Sequence, residues 1–172
     1  MWRSANVTKT DDLVELAGQV GQIMLERGWY LATVESCTGG WAAKTITSVP
    51  GSSLWFECAL VTYSNESKNA LAGVPMELID THGAVSAQVA EAMAGGVIAR
   101  SNASAAIALT GVAGPDGGSA QKPVGTVFIA WQLPGHGVRS ERFHFHGDRD
   151  AIRRQSVATA LAELVNVAID PV

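Results

Sequence analysis

The sequence predicts a three-layer α/β/α fold built on a mixed sheet, and three observations predict it. Apolar runs without polar alternation, such as Ala105 to Leu109 and Val124 to Trp131, suit strands covered on both faces. Segments with a single helical apolar stripe separate most of these runs, the pattern of helices packed on a sheet. The last two strand-like runs, Val124–Trp131 and Arg139–Phe145, are joined through the short Leu133-Pro134-Gly135-His136-Gly137 segment. So short a connection permits an antiparallel hairpin and no crossover, which makes the sheet mixed.

The elements follow in order. Asp11 and Asp12 precede an apolar stripe of Leu13, Leu16, Val20, Ile23 and Met24, and Gly28 ends that first helix. Trp29 to Val34 reads as a strand. Thr38 to Thr47 reads as a helix opening on Gly39 and Gly40 and closed by Pro50-Gly51. Cys58 to Tyr63 reads as a buried strand, followed by a helix from about Glu66 to Leu71. Ser86 caps a helix with Val89, Met93 and Val97 on one face. After the strand Ala105–Leu109 and the closing hairpin, whose Arg139–Phe145 arm alternates like an edge strand, Asp148 caps a last helix. In it Val157, Leu161, Leu164, Val165 and Ala168 face inward.

At 172 residues, with 47% hydrophobic and 16% charged residues, the chain has the composition of one globular domain and not of a disordered segment. We read 1–172 as one domain with residues 1–10 as a loose tail. Twelve basic against sixteen acidic residues give a net charge of −4, so nothing draws the whole molecule to nucleic acid or to an anionic membrane. The two cysteines, Cys37 and Cys58, match neither a disulfide framework nor a paired metal site. A polar N-terminus and the absence of any apolar run near the roughly 20 residues of a membrane span lead us to expect a soluble, cytoplasmic protein.

Three segments carry candidate chemistry at strand ends, where open α/β sheets bind ligands. In Glu35-Ser36-Cys37-Thr38-Gly39-Gly40 a strand-to-helix turn exposes Ser36 near helical N–H groups suited to an oxyanion. Ser36 or Thr38 as a plain helix cap is the alternative, and Cys37 is a rival nucleophile because a helix N-terminus lowers a thiol pKa. In Tyr63-Ser64-Asn65-Glu66-Ser67-Lys68, burial and the helix dipole would depress Lys68 towards a neutral base, with Tyr63 relaying a proton; the alternative is a solvated Lys68 paired with Glu66. The third segment, Thr110 to Ser119, is a glycine-rich loop between core strands. It lacks any Walker A lysine, and reads either as a ligand-shaped wall or as a mobile turn.

Arg149, Arg153, Arg154 and Gln155 begin the last helix, where arginines and N–H groups can grip a phosphate; pairing with Asp148 and Asp150 is the alternative. His144 and His146 share a strand face without a third metal ligand, and His82 is a loop residue or a support to a site.

Taken together, Ala32–Gly40, Val61–Lys68, His82–Ser86, Gly111–Gly118, Lys122–Val127 and Gly147–Gln155 resemble the CinA C-terminal domain family across about residues 12 to 168. The likeness is to its stand-alone form, not to the longer fusion with a molybdopterin-binding-like domain. Active members of that family are nicotinamide-nucleotide amidohydrolases, which turn nicotinamide mononucleotide and water into nicotinate mononucleotide and ammonia. The resemblance therefore implies a three-layer α/β/α domain, a homodimer or higher homo-oligomer, and a serine amidase without histidine. It implies Ser36 as nucleophile, Lys68 as base, Tyr63 as assisting hydroxyl and Thr38 as an auxiliary residue, with no metal or redox cofactor.

On that reading, N–H groups around Thr38, Gly39 and Gly40 hold the oxyanion. Thr110, Gly111, Gly114, Gly117, Gly118, Arg153, Arg154 and Gln155 are the candidates for holding the mononucleotide. Two rival classes stay open: a catalytically silent nucleotide-binding or regulatory module, and a hydrolase using Cys37. Nucleic-acid binding has no support, since no basic, aromatic-rich stripe is present.

Overall fold

The computed structural model describes residues 10–169, with side chains described for 13–168. The proposed loose tail thus falls almost wholly outside the described residues. Among these, the helices are α1 (Thr10–Arg27), α2 (Trp41–Thr47), α3 (Asn65–Ala72), α4 (Met76–His82), α5 (Ala87–Ile98) and α6 (Arg149–Ile169). The strands are β1 (Leu31–Glu35), β2 (Phe56–Val61), β3 (Ala105–Gly111), β4 (Thr126–Leu133) and β5 (Gly137–His144).

They form one five-stranded sheet in the order β2-β1-β3-β4-β5. β1 runs parallel to β2 and β3, with Val34 opposite Leu60 on one side and Ala108 on the other. β4 is antiparallel to both β3 and β5, so the sheet is mixed as the short final connection requires.

The continuous apolar runs divide between two cores. Leu31, Ala105, Ile107, Leu109, Val127, Ile129 and Trp131 pack under α1, α2 and α6, and the Trp131 indole N–H donates to Ala160 O at 2.8 Å. On the other face Ala32, Val34, Ala106, Ala108 and Ala130 pack under α3, α4 and α5. Small side chains on that face let α5 sit close to the sheet. The approach of α5 to α3 is also close: a Cβ on Gly96 would lie 1.6 Å from Ala72 O.

Several expectations shift. The strand expected from Trp29 begins at Leu31, because Trp29 N–H still donates to Met24 O at 2.8 Å and completes the turn that ends α1. The strand expected to be buried, Cys58–Tyr63, is β2 at the sheet edge, with Ala59 and Val61 exposed. The short helix α4, between Pro75 and Gly83, was not anticipated.

This topology places the site. α2 crosses from β1 to β2 on one face, while α3 to α5 lead from β2 back past β1 to β3 on the other. Crossovers on opposite faces leave a crevice at the carboxyl end of β1, the usual binding position in open α/β sheets.

Candidate active site

The turn after β1 is fixed from both sides. Ser36 N–H donates to Leu109 O at 2.9 Å, and Thr62 N–H donates to Glu35 O at 2.8 Å. Gly39 and Gly40 take φ of +61° and +92°, left-handed values that glycine adopts without strain and that turn the chain sharply into α2. Gly40, the N-cap of α2, offers no side chain to its helix. The carboxylate of Glu35 takes that place. It is fully buried and accepts from Thr38 Oγ1 (2.7 Å), Gly40 N (3.0 Å), Ala42 N (3.1 Å) and Ala43 N (2.9 Å).

Ser64 caps α3 through a reciprocal pair with Ser67, and this sets the direction of the helix that carries Lys68. Lys68 is only 2% exposed. Its Nζ donates to Thr62 O at 2.8 Å and lies 3.0 Å from Ser36 Oγ. The surface pair with Glu66 is therefore not what forms. Burial pushes the amine below its ordinary value of 10.5. A thiolate at Cys37 would oppose that shift, but burial pushes the Cys37 thiol up to about 12, so it is neutral near pH 7. Burial thus acts against an activated Cys37: loss of hydration outweighs the helix N-terminus, whose leading N–H groups are already bonded to Glu35.

Ser36, Cys37, Tyr63 and Lys68 open on a cavity of about 300 Å³, at the small end of ligand sites. Thr110, Gly111, Gly114, Gly117 and Gly118 line its far wall. Thr110 Oγ1 is itself spent on Ala84 O at 2.8 Å. Arg149 closes one side, donating to Tyr63 OH at 2.7 Å and to Gly114 O at 2.6 Å. A buried serine and lysine in contact, beside a glycine-rich wall, form a Ser–Lys pair able to run nucleophilic chemistry on a carbonyl.

Residues 13–168 match the family model for the CinA C-terminal domain. The chain belongs to the CinA C-terminal domain family. It is 51% identical over 154 residues to nicotinamide-nucleotide amidohydrolase PncC of Escherichia coli strain K12, spanning 89% of this chain and 93% of that one. The protein of that name from Pseudomonas putida is 50% identical over 160 residues, 93% of this chain and 99% of its own length. The solved structure of competence/damage inducible protein CihA from Agrobacterium tumefaciens superposes with a TM-score of 0.88 at 39% identity, covering 96% of this chain and 99% of that one.

In this CinA-domain chain the residues singled out from sequence separate into four groups. Ser36, Tyr63, Lys68, Thr110, Gly111, Gly114, Gly117 and Gly118 share the cavity. Thr38 is wholly buried and faces Glu35 instead. Gly39, Gly40 and Arg153 line a separate depression with Trp41, Lys44 and Asp150. There Arg153 lies over the Trp41 ring and donates to Thr38 O at 2.9 Å. Arg154 and Gln155 line neither hollow, and Gln155 Nε2 donates to His146 O and Ala151 O.

The oxyanion donors also move. Gly39 N–H is bonded to Ser36 O, Gly40 N–H to Glu35, and Thr38 is wholly buried, so of this turn only Ser36 and Cys37 line the cavity. Arg149, one of the arginines weighed from sequence for gripping a phosphate, lines the cavity together with Asn65 and Asp116, which sequence reading did not single out for the site. Arg149 was one of several arginines at the start of α6, and only packing distinguishes it from Arg153. His144 and His146 lie ring to ring at 4.8 Å, and among the described residues no group of three metal-ligating side chains converges. No described helix is long and apolar enough to cross a membrane.

Proposed function

We propose that this chain hydrolyses nicotinamide mononucleotide to nicotinate mononucleotide and ammonia, with Ser36 as nucleophile and Lys68 as its base. The observation that carries the mechanism is the buried Lys68 amine 3.0 Å from Ser36 Oγ. The substrate follows from the relatives named nicotinamide-nucleotide amidohydrolase at about half identity over most of the chain.

With the amine neutral, one Lys68 N–H serves Thr62 O while the nitrogen lone pair accepts the Ser36 hydroxyl proton. Ser36 Oγ attacks the carboxamide carbon, and the carbonyl electron pair moves onto oxygen as the proton passes to Lys68. That oxyanion forms in the cavity beside Cys37, on the Ser36 side of the turn. Its collapse expels ammonia, which carries off the proton from Lys68. Water, deprotonated by the same amine, attacks the acyl-enzyme, and the proton returns to Ser36 Oγ as the acid leaves. Tyr63, held by Arg149, stands at the mouth of the cavity, and Arg149 is the cation placed to meet the phosphate.

The test is to incubate the purified protein with nicotinamide mononucleotide and measure ammonia and acid product together. Equal amounts are expected, and Ser36→Ala should bind the nucleotide without turning it over. Calorimetric binding by the unmodified chain with no ammonia would overturn the hydrolytic reading in favour of a nucleotide-binding module.

A further inference from the structure

We propose that the buried carboxylate of Glu35 is the positioning residue of this site, setting the turn that holds Ser36 against Lys68. The inference rests on Ser36 as nucleophile under the reading above.

Glu35 follows the inward alternation of Leu31 and Thr33 on β1, so its carboxylate points under α2 and away from solvent. A buried carboxylate is costly unless its lost hydration is replaced. Here four donors replace it, three of them N–H groups around the first turn of α2, where the helix dipole also favours negative charge. Two left-handed glycines precede that helix, and its Gly40 cap cannot satisfy any N–H from its own side chain. The cap is therefore supplied from the strand, by the residue next to the nucleophile.

Two consequences reach the chemistry. The Ser36 backbone is clamped between β3, through Leu109 O, and the Gly39 N–H that donates to Ser36 O at 3.1 Å. Glu35 holds the rest of that turn at Thr38 and Gly40, so the Ser36 side chain meets Lys68 at one fixed angle. The carboxylate also consumes the Gly40, Ala42 and Ala43 donors, so an oxyanion can form only on the Ser36 side of the turn.

The site requires a carboxylate and not an amide. Oε2 accepts three donors and Oε1 accepts one, so either orientation of a glutamine would set its NH₂ against an N–H or the Thr38 hydroxyl.

The experiment compares Glu35→Gln, Thr38→Val and Thr38→Ser with the unmodified protein. It measures kcat and KM on nicotinamide mononucleotide and the rate of covalent labelling of Ser36 by phenylmethylsulfonyl fluoride. Glu35→Gln should lower kcat roughly 10–100-fold, the scale of a misplaced reacting group, with KM changed less than about threefold. Labelling should fall by the same factor, and the midpoint of the acid limb of the pH profile should stay, because Lys68 is untouched. Thr38→Val should lose about tenfold in kcat, and Thr38→Ser, which restores the hydroxyl donor, should recover most of it.

Unchanged kcat and labelling in Glu35→Gln overturns the proposal, as does a loss confined to KM. If Glu35→Gln does not fold, the threonine pair decides: equal losses in Thr38→Val and Thr38→Ser overturn it. An unmodified protein that labels at Ser36 without turning over the nucleotide refutes the substrate reading alone, and the labelling rates still test Glu35. One that neither turns over nor labels overturns both.

Discussion

Replacing Lys68 by methionine isolates the base while keeping the length of the side chain. The amine makes two contacts, to Thr62 O at 2.8 Å and to Ser36 Oγ at 3.0 Å, and both are lost. A positioned general base contributes about 10²–10⁴-fold, and a nucleophile–base pair that acts as a unit loses nearly everything with either member. We expect kcat/KM to fall by about 10³–10⁴, equivalent to about 4–5.5 kcal/mol of barrier. In the same cycle Ser36→Ala should cost as much, and the double variant no more than either alone.

Stability should move differently, and with pH. Losing the bond to Thr62 O costs about 1 kcal/mol. Against this, burial holds the Lys68 pKa below its value near 10.5 in the unfolded chain, so the unfolded state binds the extra proton. The lysine's penalty is therefore fully present below the folded pKa and fades as pH rises through it towards 10.5. Urea unfolding should show Lys68→Met faring best against the unmodified protein at neutral pH and worst near pH 10. Ammonia release across the same range gives the rate, whose acid limb should rise with the fraction of neutral Lys68. A Lys68→Met protein that keeps more than about a tenth of kcat/KM, or losses that simply add in the double variant, would refute the Ser–Lys pair.

Three further outcomes are expected. Cys37→Ala should keep turnover within a few-fold, and Cys37 should resist iodoacetamide at pH 8 in the folded protein, because a buried thiol raised to about 12 is protonated there; loss of activity in Cys37→Ala with retention in Ser36→Ala would transfer the nucleophile to Cys37. Arg149→Leu should raise KM for the mononucleotide about tenfold or more while costing kcat less, since a cation facing the cavity binds phosphate in ground and transition states alike; steady-state kinetics with the nucleoside lacking phosphate should show no such change. Gly96→Ala should destabilise the fold by about 3 kcal/mol, because its Cβ would overlap Ala72 O at 1.6 Å and α5 would have to lift from α3; thermal unfolding measures this, and an unchanged midpoint would refute the packing argument.

Legibility in the sequence followed the range of each interaction. Continuous apolar runs located β3 and β4 because burial on both faces leaves that trace in any order of strands. The same runs do not reveal which strand lies at an edge, and β2 was read as buried although Ala59 and Val61 are exposed. α4 escaped notice because seven residues give too short an apolar period, although Pro75 and Gly83 bracket it. The start of β1 was displaced by a bond from Trp29 back to Met24 that belongs to the helix before it.

What the sequence determined by itself was local: the apolar periods, the glycines that turn the chain after Ser36, and the motifs shared with the CinA C-terminal domain family. Tertiary structure decided which groups meet. Ser36 and Lys68 are 32 positions apart, and Tyr63 and Arg149 are 86 apart; each pair meets only once the strands have come together in the sheet. The same folding spent the Gly40 amide and the Thr38 hydroxyl on Glu35, removed Arg153 to another hollow, and left Cys37 protonated beside the serine. Turn and helix preferences act over a few residues and can be read in line. Desolvation and hydrogen-bond partnership depend on what packs across the sheet, and only the folded arrangement sets them.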